Sequence, residues 1–180
     1  MLQGHRPLFL YGMEDGLPMK RKDREVTELS QLEEMIQRCD CIHLGLMDGE
    51  YPYVVPMNFG YACENGERVF YFHCAGEGRK LDLMQQNPNV AFELDCRYRL
   101  MRPENPADAC GYSACYASVI GSGRASLVVD PKEKEHGLLL LMQQAAGKRE
   151  DYVITKNSLR AVTVFRVDVK SLSCKKHGSF

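Results

Sequence analysis

One loop of the sequence combines the residue types that bind phosphate. Gly76 and Gly78 are followed directly by Arg79 and Lys80, and apolar residues then recur at the spacing of a helix. Glycines let backbone N–H groups approach an anion, and the start of a helix adds its positive end. Arginine offers a two-pronged donor to phosphate, and lysine offers a compact charge. The loop therefore predicts a phosphate site, although the same pattern also occurs in ordinary connections.

A second segment is suited to the edge of a flat ring that carries both N–H and C=O groups. Val55, Pro56, Met57 and Asn58 belong to a strand-like segment, Tyr53–Tyr61, which the proline interrupts. Proline cannot donate to a strand ladder, so neighbouring backbone groups are left for a ligand, and Asn58 adds an amide. A bulged edge strand with a surface asparagine would explain the same residues.

His73 is the only one of the five histidines beside a candidate site. It ends a predicted strand, Val69–His73, immediately before the glycine-containing loop. We therefore treat it as a candidate catalytic residue, with a strand-end histidine bonded to backbone as the alternative. Cys74 follows directly, but adjacent strand residues point to opposite faces, so no Cys–His pair is expected.

The eight cysteines do not form a recognisable metal site. Neither Cys39-x-Cys41 nor the Cys110–Cys115 pair has the spacing of a zinc knuckle or a thioredoxin-type site. We expect free thiols packed as small apolar groups, and no bound metal.

Charge and hydropathy exclude several classes of partner. The formal net charge is -1 and the pI is near 6.5, so no overall positive field attracts nucleic acid or an anionic membrane. The longest wholly apolar run, Leu138–Met142, is far shorter than a bilayer span. With 180 residues we expect an irregular N-terminal arm, 1–18, and one domain, 19–180. We expect the protein to be cytoplasmic.

The local patterns predict a mainly β (α+β) fold. Ser30 and Glu33 match a capping box, and Asp130-Pro131-x-Glu133 matches the start of a helix that runs to about Ala146. Asp48-Gly49 and Asn65-Gly66 predict tight turns. The predicted strands are Ile42–Leu46, Tyr53–Tyr61, Val69–His73, Val90–Leu94, Tyr116–Val129 and Val162–Val169. Six strands with a few peripheral helices favour a small antiparallel barrel.

Four segments in order resemble the pyridoxamine 5′-phosphate oxidase-like FMN-binding split β-barrels, particularly the nitroimidazole-resistance branch. The segments are Lys20–Val26, Tyr51–Tyr61, Tyr71–His73 with Gly78–Leu81, and Tyr116–Gly121. The likeness spans roughly residues 20–176, and its order and spacing are more specific than any one motif.

This resemblance implies a homodimer with two FMN sites at the subunit interface, with FAD as the other flavin to consider. Val55, Pro56, Met57 and Asn58 would border the ring, and His73 would lie beside it. Gly78, Arg79 and Lys80 would meet the phosphate, and Ser118 would reach the phosphate or the ribityl chain. The branch is associated with reducing a nitro group on an imidazole drug, a small-molecule substrate, to an amine.

Other activities remain open within such a family. The chain ends at 175–180 without the Arg-Leu-x-Pro-type ending of true pyridoxamine phosphate oxidases, which argues against vitamin B6 oxidation. Some members bind other flavins, deazaflavin or haem. The alternative to a flavin-dependent oxidoreductase is therefore a non-catalytic flavin- or haem-binding module.

Overall fold

The computed structural model describes residues 19–147 and 151–178, so the predicted arm, 1–18, lies outside the described residues. The described strands are β1 (Ile42–Asp48), β2 (Tyr51–Met57), β3 (Gly60–Glu64), β4 (Glu67–Cys74), β5 (Asn89–Met101), β6 (Ser113–Leu127) and β7 (Thr163–His177). The described helices are α1 (Leu29–Gln37), α2 (Arg79–Gln86), α3 (Pro131–Ala146) and α4 (Lys156–Ala161), with short 3₁₀ turns at Lys22–Arg24 and Ala109–Gly111.

The seven described strands form one antiparallel sheet in the order β2-β1-β5-β6-β7-β4-β3. The sheet curls around an apolar core whose largest fully buried side chains include Phe59, Phe70, Phe72 and Phe165. The mainly β, split-barrel prediction is confirmed, but the predicted count of six strands is wrong. The segment expected to be one strand divides into β2 and β3, and it divides at Asn58 rather than at Pro56.

Two turns fix the hairpins as predicted. Asn65 and Gly66, between β3 and β4, both have positive φ, 53° and 84°. Positive φ at both central positions matches the right-handed twist of the flanking strands. Gly49, between β1 and β2, has φ 59°. Asp48 and Tyr51 are therefore opposite each other at the end of this hairpin.

The start of α3 is set by a local capping signal, whereas the start of α1 is set by tertiary packing. Asp130 caps α3 by accepting a hydrogen bond from the Glu133 N–H at 2.9 Å, as predicted. The predicted capping box of α1 is wrong, because the helix begins at Leu29 and its N-cap, Glu28, makes no side-chain cap bond. Ser30 lies inside the first turn, and burial of the apolar face fixes this helix instead.

α3 lies directly against the β3 side of the sheet. A Cβ atom on Gly60 would lie 2.6 Å from the Leu141 nitrogen, so the helix backbone touches the strand backbone there. Gly137 of α3 packs in the same way on the ring of Tyr71. No helix in the described ranges is long and apolar enough to cross a membrane. All eight cysteines are free thiols in the structure.

Candidate functional site

The glycine-containing loop opens α2 as predicted. Gly78 has φ 132°, a conformation that favours glycine, and its carbonyl accepts hydrogen bonds from the Leu81 N–H at 2.9 Å and the Asp82 N–H at 3.3 Å. The N–H groups just before these have no acceptor inside the helix. Burial of Leu83 and Met84 anchors α2 on the core. The loop therefore presents backbone donors at an exposed helix start.

The two basic side chains after the loop have different surroundings. Arg79 is 65% exposed and forms an ion pair with Asp48 at the end of β1, and its guanidinium lies 4.9 Å from the centre of the Tyr53 ring. This acidic partner of Arg79 was not predicted from the sequence. Lys80 is half-buried and lies close to Cys74, where burial raises the pKa of the thiol and the Lys80 charge opposes that rise. A phosphate at this loop would compete with Asp48 for Arg79.

β2 has one side free because it is the last strand of the sheet. Asp48 and Tyr51 flank a two-residue turn and so exchange both backbone bonds, after which bonded and non-bonded pairs alternate along β1 and β2. By this alternation the backbone groups of Val54 and Pro56 point to the open edge. Those of Val55 and Met57 bond to β1 instead, and their side chains pack against the core.

This register decides which backbone groups of the predicted ring-binding segment are free for a ligand. Within the strand, Val54 offers an N–H and a C=O at the open edge, and Pro56 offers a C=O alone. Val54 was not predicted, because the turn occupies Gly49 and Glu50 rather than Asp48 and Gly49, and this one-residue difference decides which strand pairs form backbone bonds. Asn58 is exposed just beyond the strand, where its side-chain amide is accessible.

The loop and the β2 edge are neighbours in the fold. The contact of Arg79 with Tyr53 places the start of α2 beside the first half of β2. From Tyr53 to Asn58 the strand extends about 17 Å at the usual rise per residue. An elongated ligand with a phosphate at one end and a ring at the other could therefore follow β2 from the loop.

His73 is exposed at the end of β4, immediately before the loop. Cys74 lies opposite Thr163 in β7. The Thr163 hydroxyl is a further polar group at the site, because a Cβ atom on Gly76 would lie 3.8 Å from its oxygen. Thr163 was not predicted from the sequence, because the start of a strand does not reveal which loop it faces.

Ser118 is not brought to the loop within one chain. It lies in β6 between Asp95 of β5 and Lys175 of β7. Arg124, which pairs with Asn89 just after α2, marks the loop end of β6. Six residues separate Ser118 from Arg124, or about 20 Å along the strand. In one chain Ser118 therefore belongs to the opposite end of the sheet from Arg79 and Lys80.

The sequence matches a known family over most of its length. Residues 28–176 fit the family model described as pyridoxamine 5′-phosphate oxidase. This protein belongs to the pyridoxamine 5′-phosphate oxidase family. The resemblance stated from the four sequence segments is confirmed. No curated protein sequence matches the chain.

Solved structures agree with this family assignment. A proposed 5-nitroimidazole antibiotic resistance protein from Bacteroides thetaiotaomicron is 28% identical, with 84% of this chain and 86% of that chain covered and a TM-score of 0.71. The flavocytochrome Anf3 from Azotobacter vinelandii is 18% identical, with 90% of this chain and 73% of that chain covered and a TM-score of 0.70. The FAD and heme binding protein from Mycobacterium smegmatis is 15% identical, with 87% of this chain and 75% of that chain covered and a TM-score of 0.69. The last two show a shared fold.

The face of the sheet that carries Ser118 also exposes apolar side chains. Ile120 is 55% exposed two residues along β6, and Val54 is 57% exposed on β2. Between them lie His43 of β1 and Glu93 of β5, whose Nδ1 and Oε2 atoms are 3.3 Å apart. Burial and the neighbouring Asp95 carboxylate raise the pKa of Glu93. We call this surface the outer face; its residues are His43, Val54, Glu93, Asp95, Ser118 and Ile120.

Proposed function

We propose that this protein is a flavin-dependent oxidoreductase that binds FMN between two copies of the chain and reduces nitroimidazole-type nitro compounds. The observation that carries the proposal is the position of the phosphate-type loop beside the open edge of β2. Membership of the pyridoxamine 5′-phosphate oxidase family supports a flavin, and the 28% identical relative supports the nitro substrate. Flavin, when bound, would carry the electrons, while the chain binds and orients it.

The residues at the loop fit a phosphate dianion. The exposed N–H groups at the start of α2 and the side chains of Arg79 and Lys80 supply donors of the required charge. Lys80 forms no ion pair with any described residue, so its charge is available without displacing a carboxylate. Thr163 adds a hydroxyl beside the loop.

The open edge of β2 fits the polar margin of the flavin ring. Val54 offers a donor and an acceptor, Pro56 an acceptor, and the Asn58 side chain both. His73, exposed at the mouth of the loop, is proposed to lie beside the cofactor and contact the substrate. FAD would present the same ring and a first phosphate to these groups.

The homodimer explains the position of Ser118. A second copy packed on the outer face would bury Val54 and Ile120 and bring its own Ser118 toward the flavin of the first. Because Ser118 is about 20 Å along its strand from the loop end, its own chain cannot place it there. We therefore assign Ser118 to the site across the interface.

The first experiment compares FMN with riboflavin in the Arg79→Ala and Lys80→Ala variants. Charge-assisted hydrogen bonds contribute about 1.5–3 kcal/mol, so each variant should bind FMN about one to two decades more weakly. Riboflavin has no phosphate, and its affinity should barely change. Equal losses for both ligands would show that the loop supports the fold rather than the phosphate.

The second experiment tests turnover. Purified protein should show flavin absorption, and with a supplied reductant it should reduce a nitroimidazole but not oxidise pyridoxamine 5′-phosphate. The His73→Ala variant should retain the flavin spectrum and lose most of the turnover. A haem absorption band, or a flavin-loaded protein that reduces no nitro compound, would contradict the proposed reaction.

A further inference from the structure

We propose that a cleft between α3 and the segment that leads into β7 binds a small molecule that joins an apolar body to two or more negative charges, the chemistry of a nucleotide. The cleft has a volume of about 680 Å³, within the usual range for small-ligand sites. The residues assigned above to flavin do not line it. The proposal therefore stands whether or not flavin binds.

Two helix faces form the walls of the cleft. Lys156, Leu159 and Arg160 follow the i, i+3, i+4 spacing on α4, so they share one face of that helix. Pro131 and Lys134 share a face at the start of α3. Thr155 caps α4 by accepting the Ser158 N–H at 3.1 Å, which fixes the first turn of that wall.

The charges on these walls are unbalanced. Among the residues that the structure describes, four cations, Lys132, Lys134, Lys156 and Arg160, line the cleft with a single carboxylate, Glu135. None of the four has an ion-pair partner among residues 19–147 and 151–178. Like charges on facing helices repel, and the repulsion is relieved when an anion lies between them. The cleft is therefore suited to a ligand with more than one negative charge.

Apolar side chains line the same cleft. Val129 is 88% exposed at its rim, and Ile154 and Leu159 are partly exposed beside it. Covering these groups removes apolar surface from water, which a simple inorganic anion cannot do. The ligand must therefore carry an apolar group next to its charges, as a nucleotide base and sugar do.

The cleft lies at the same end of the sheet as the phosphate-type loop. α4 ends two residues before Thr163, and Thr163 lies beside Gly76 of that loop. A nucleotide at this end could come from the adenosine half of FAD or from a nicotinamide dinucleotide that donates electrons. The shared chemistry is an adenosine phosphate, for which ADP is a suitable probe.

The test is calorimetric titration of the full chain with ADP, adenosine and pyrophosphate. ADP should bind at least about tenfold more tightly than either fragment, and its affinity should fall as salt is raised. The double variant Lys156→Glu/Arg160→Glu should weaken ADP at least about tenfold, since it removes two charge-assisted contacts. The matched control is Arg102→Glu/Lys170→Glu, which makes the same change in charge at two exposed positions outside the cleft and should leave ADP affinity unchanged.

A further variant separates this site from its alternatives. Val129→Ser, at a side chain with little packing to lose, should weaken ADP and leave pyrophosphate unchanged. Absent ADP binding, equal binding of ADP and pyrophosphate, or unchanged ADP affinity in Lys156→Glu/Arg160→Glu would each overturn the proposal. If the double variant weakens FAD but not FMN, the nucleotide belongs to FAD; if it weakens a nicotinamide dinucleotide, it belongs to a donor.

Discussion

The two margins of the sheet, its edge strands β2 and β3, differ in whether a helix covers them. α3 covers β3, and its backbone approaches Gly60 so closely that no side chain fits between them. β2 is exposed over much of its length, with Tyr51 73% exposed. Pro52 and Pro56 both occupy pairs whose backbone groups point away from β1. One margin is closed by packing, and the other is kept open.

Under the proposed function, this difference assigns stability to one edge of the sheet and ligand binding to the other. A bare strand edge invites pairing with another chain, and proline at outward positions removes the donors that such pairing needs. The open margin thus keeps acceptors and few donors, which discourages another strand but still accommodates the edge of a ring. The covered margin has no such opening and contributes packing.

The largest effect is expected at the covered margin, for Gly60→Ala. The added Cβ would lie 2.6 Å from the Leu141 nitrogen, a backbone atom that cannot move without shifting α3. Forcing an atom into a packed contact of this kind should lower the free energy of unfolding by about 3 kcal/mol, measured by urea denaturation. The control is Gly45→Ala in β1, whose Cβ meets its nearest neighbour at 3.7 Å and should change stability little. Similar losses at both positions would remove the contrast between the margins.

The next effect concerns the ion pair that joins α1 to β4 near the covered margin. The Arg68 side chain is 4% exposed, and its Nη2 lies 3.0 Å from Oε1 of Glu33. Glu33→Gln leaves a buried cation without its counter-charge and should cost about 2 kcal/mol, below the value for a fully buried pair because Glu33 is partly solvated.

Glu34→Gln is the matched control, since Glu34 pairs with Arg38 on the exposed side of the same helix. Its effect on the free energy of unfolding should stay below about 0.5 kcal/mol. An equal loss in the two variants would mean that burial of Arg68 carries no special cost.

On the outer face, the Ile120→Asp variant in β6 tests whether this face is the dimer interface. A carboxylate in place of an exposed apolar side chain would be buried unpaired in the dimer, so the dimer dissociation constant should rise at least about tenfold. Analytical ultracentrifugation measures this directly. Val153→Asp makes the same kind of change at an exposed residue outside the sheet and should leave the dimer intact. A monomeric parent protein with flavin bound would refute the interface altogether.

The smallest effect is expected for Asp48→Asn. In the proposed site the Asp48 carboxylate would compete with the FMN phosphate for Arg79. Its loss should therefore strengthen FMN binding by about 0.5–1 kcal/mol, a modest gain because Arg79 is mostly exposed. Riboflavin affinity should stay the same, and Asp40→Asn, at an exposed position before β1, serves as the control. Weaker FMN binding would mean instead that Asp48 holds Arg79 in its binding position.

Local chemistry allowed much of this architecture to be predicted. Asn65-Gly66 specifies a turn because both residues tolerate positive φ, and Asp130-Pro131-x-Glu133 specifies the start of α3 because cap, proline and dipole act within one turn. The opening of α2 after Gly78 is also local, because glycine adopts the φ of 132° found there. The start of α1 was mispredicted because its position depends on burying Leu32 and Ile36, and not on its cap.

The sequence by itself determined the family, the turns and the loop that precedes α2, since each depends on residues adjacent in the chain. Only the tertiary structure decided that the backbone groups of Val54 face the open edge and that Asp48 forms an ion pair with Arg79. It also decided that Ser118 lies far from the loop of its own chain. These facts depend on strand register and on which elements meet at one end of the sheet. The register of β1 and β2 follows from a turn at Gly49 and Glu50, one residue beyond the Asp48-Gly49 pair that the sequence marks. The other facts depend on burial summed over residues distant in sequence, which no local pattern reveals.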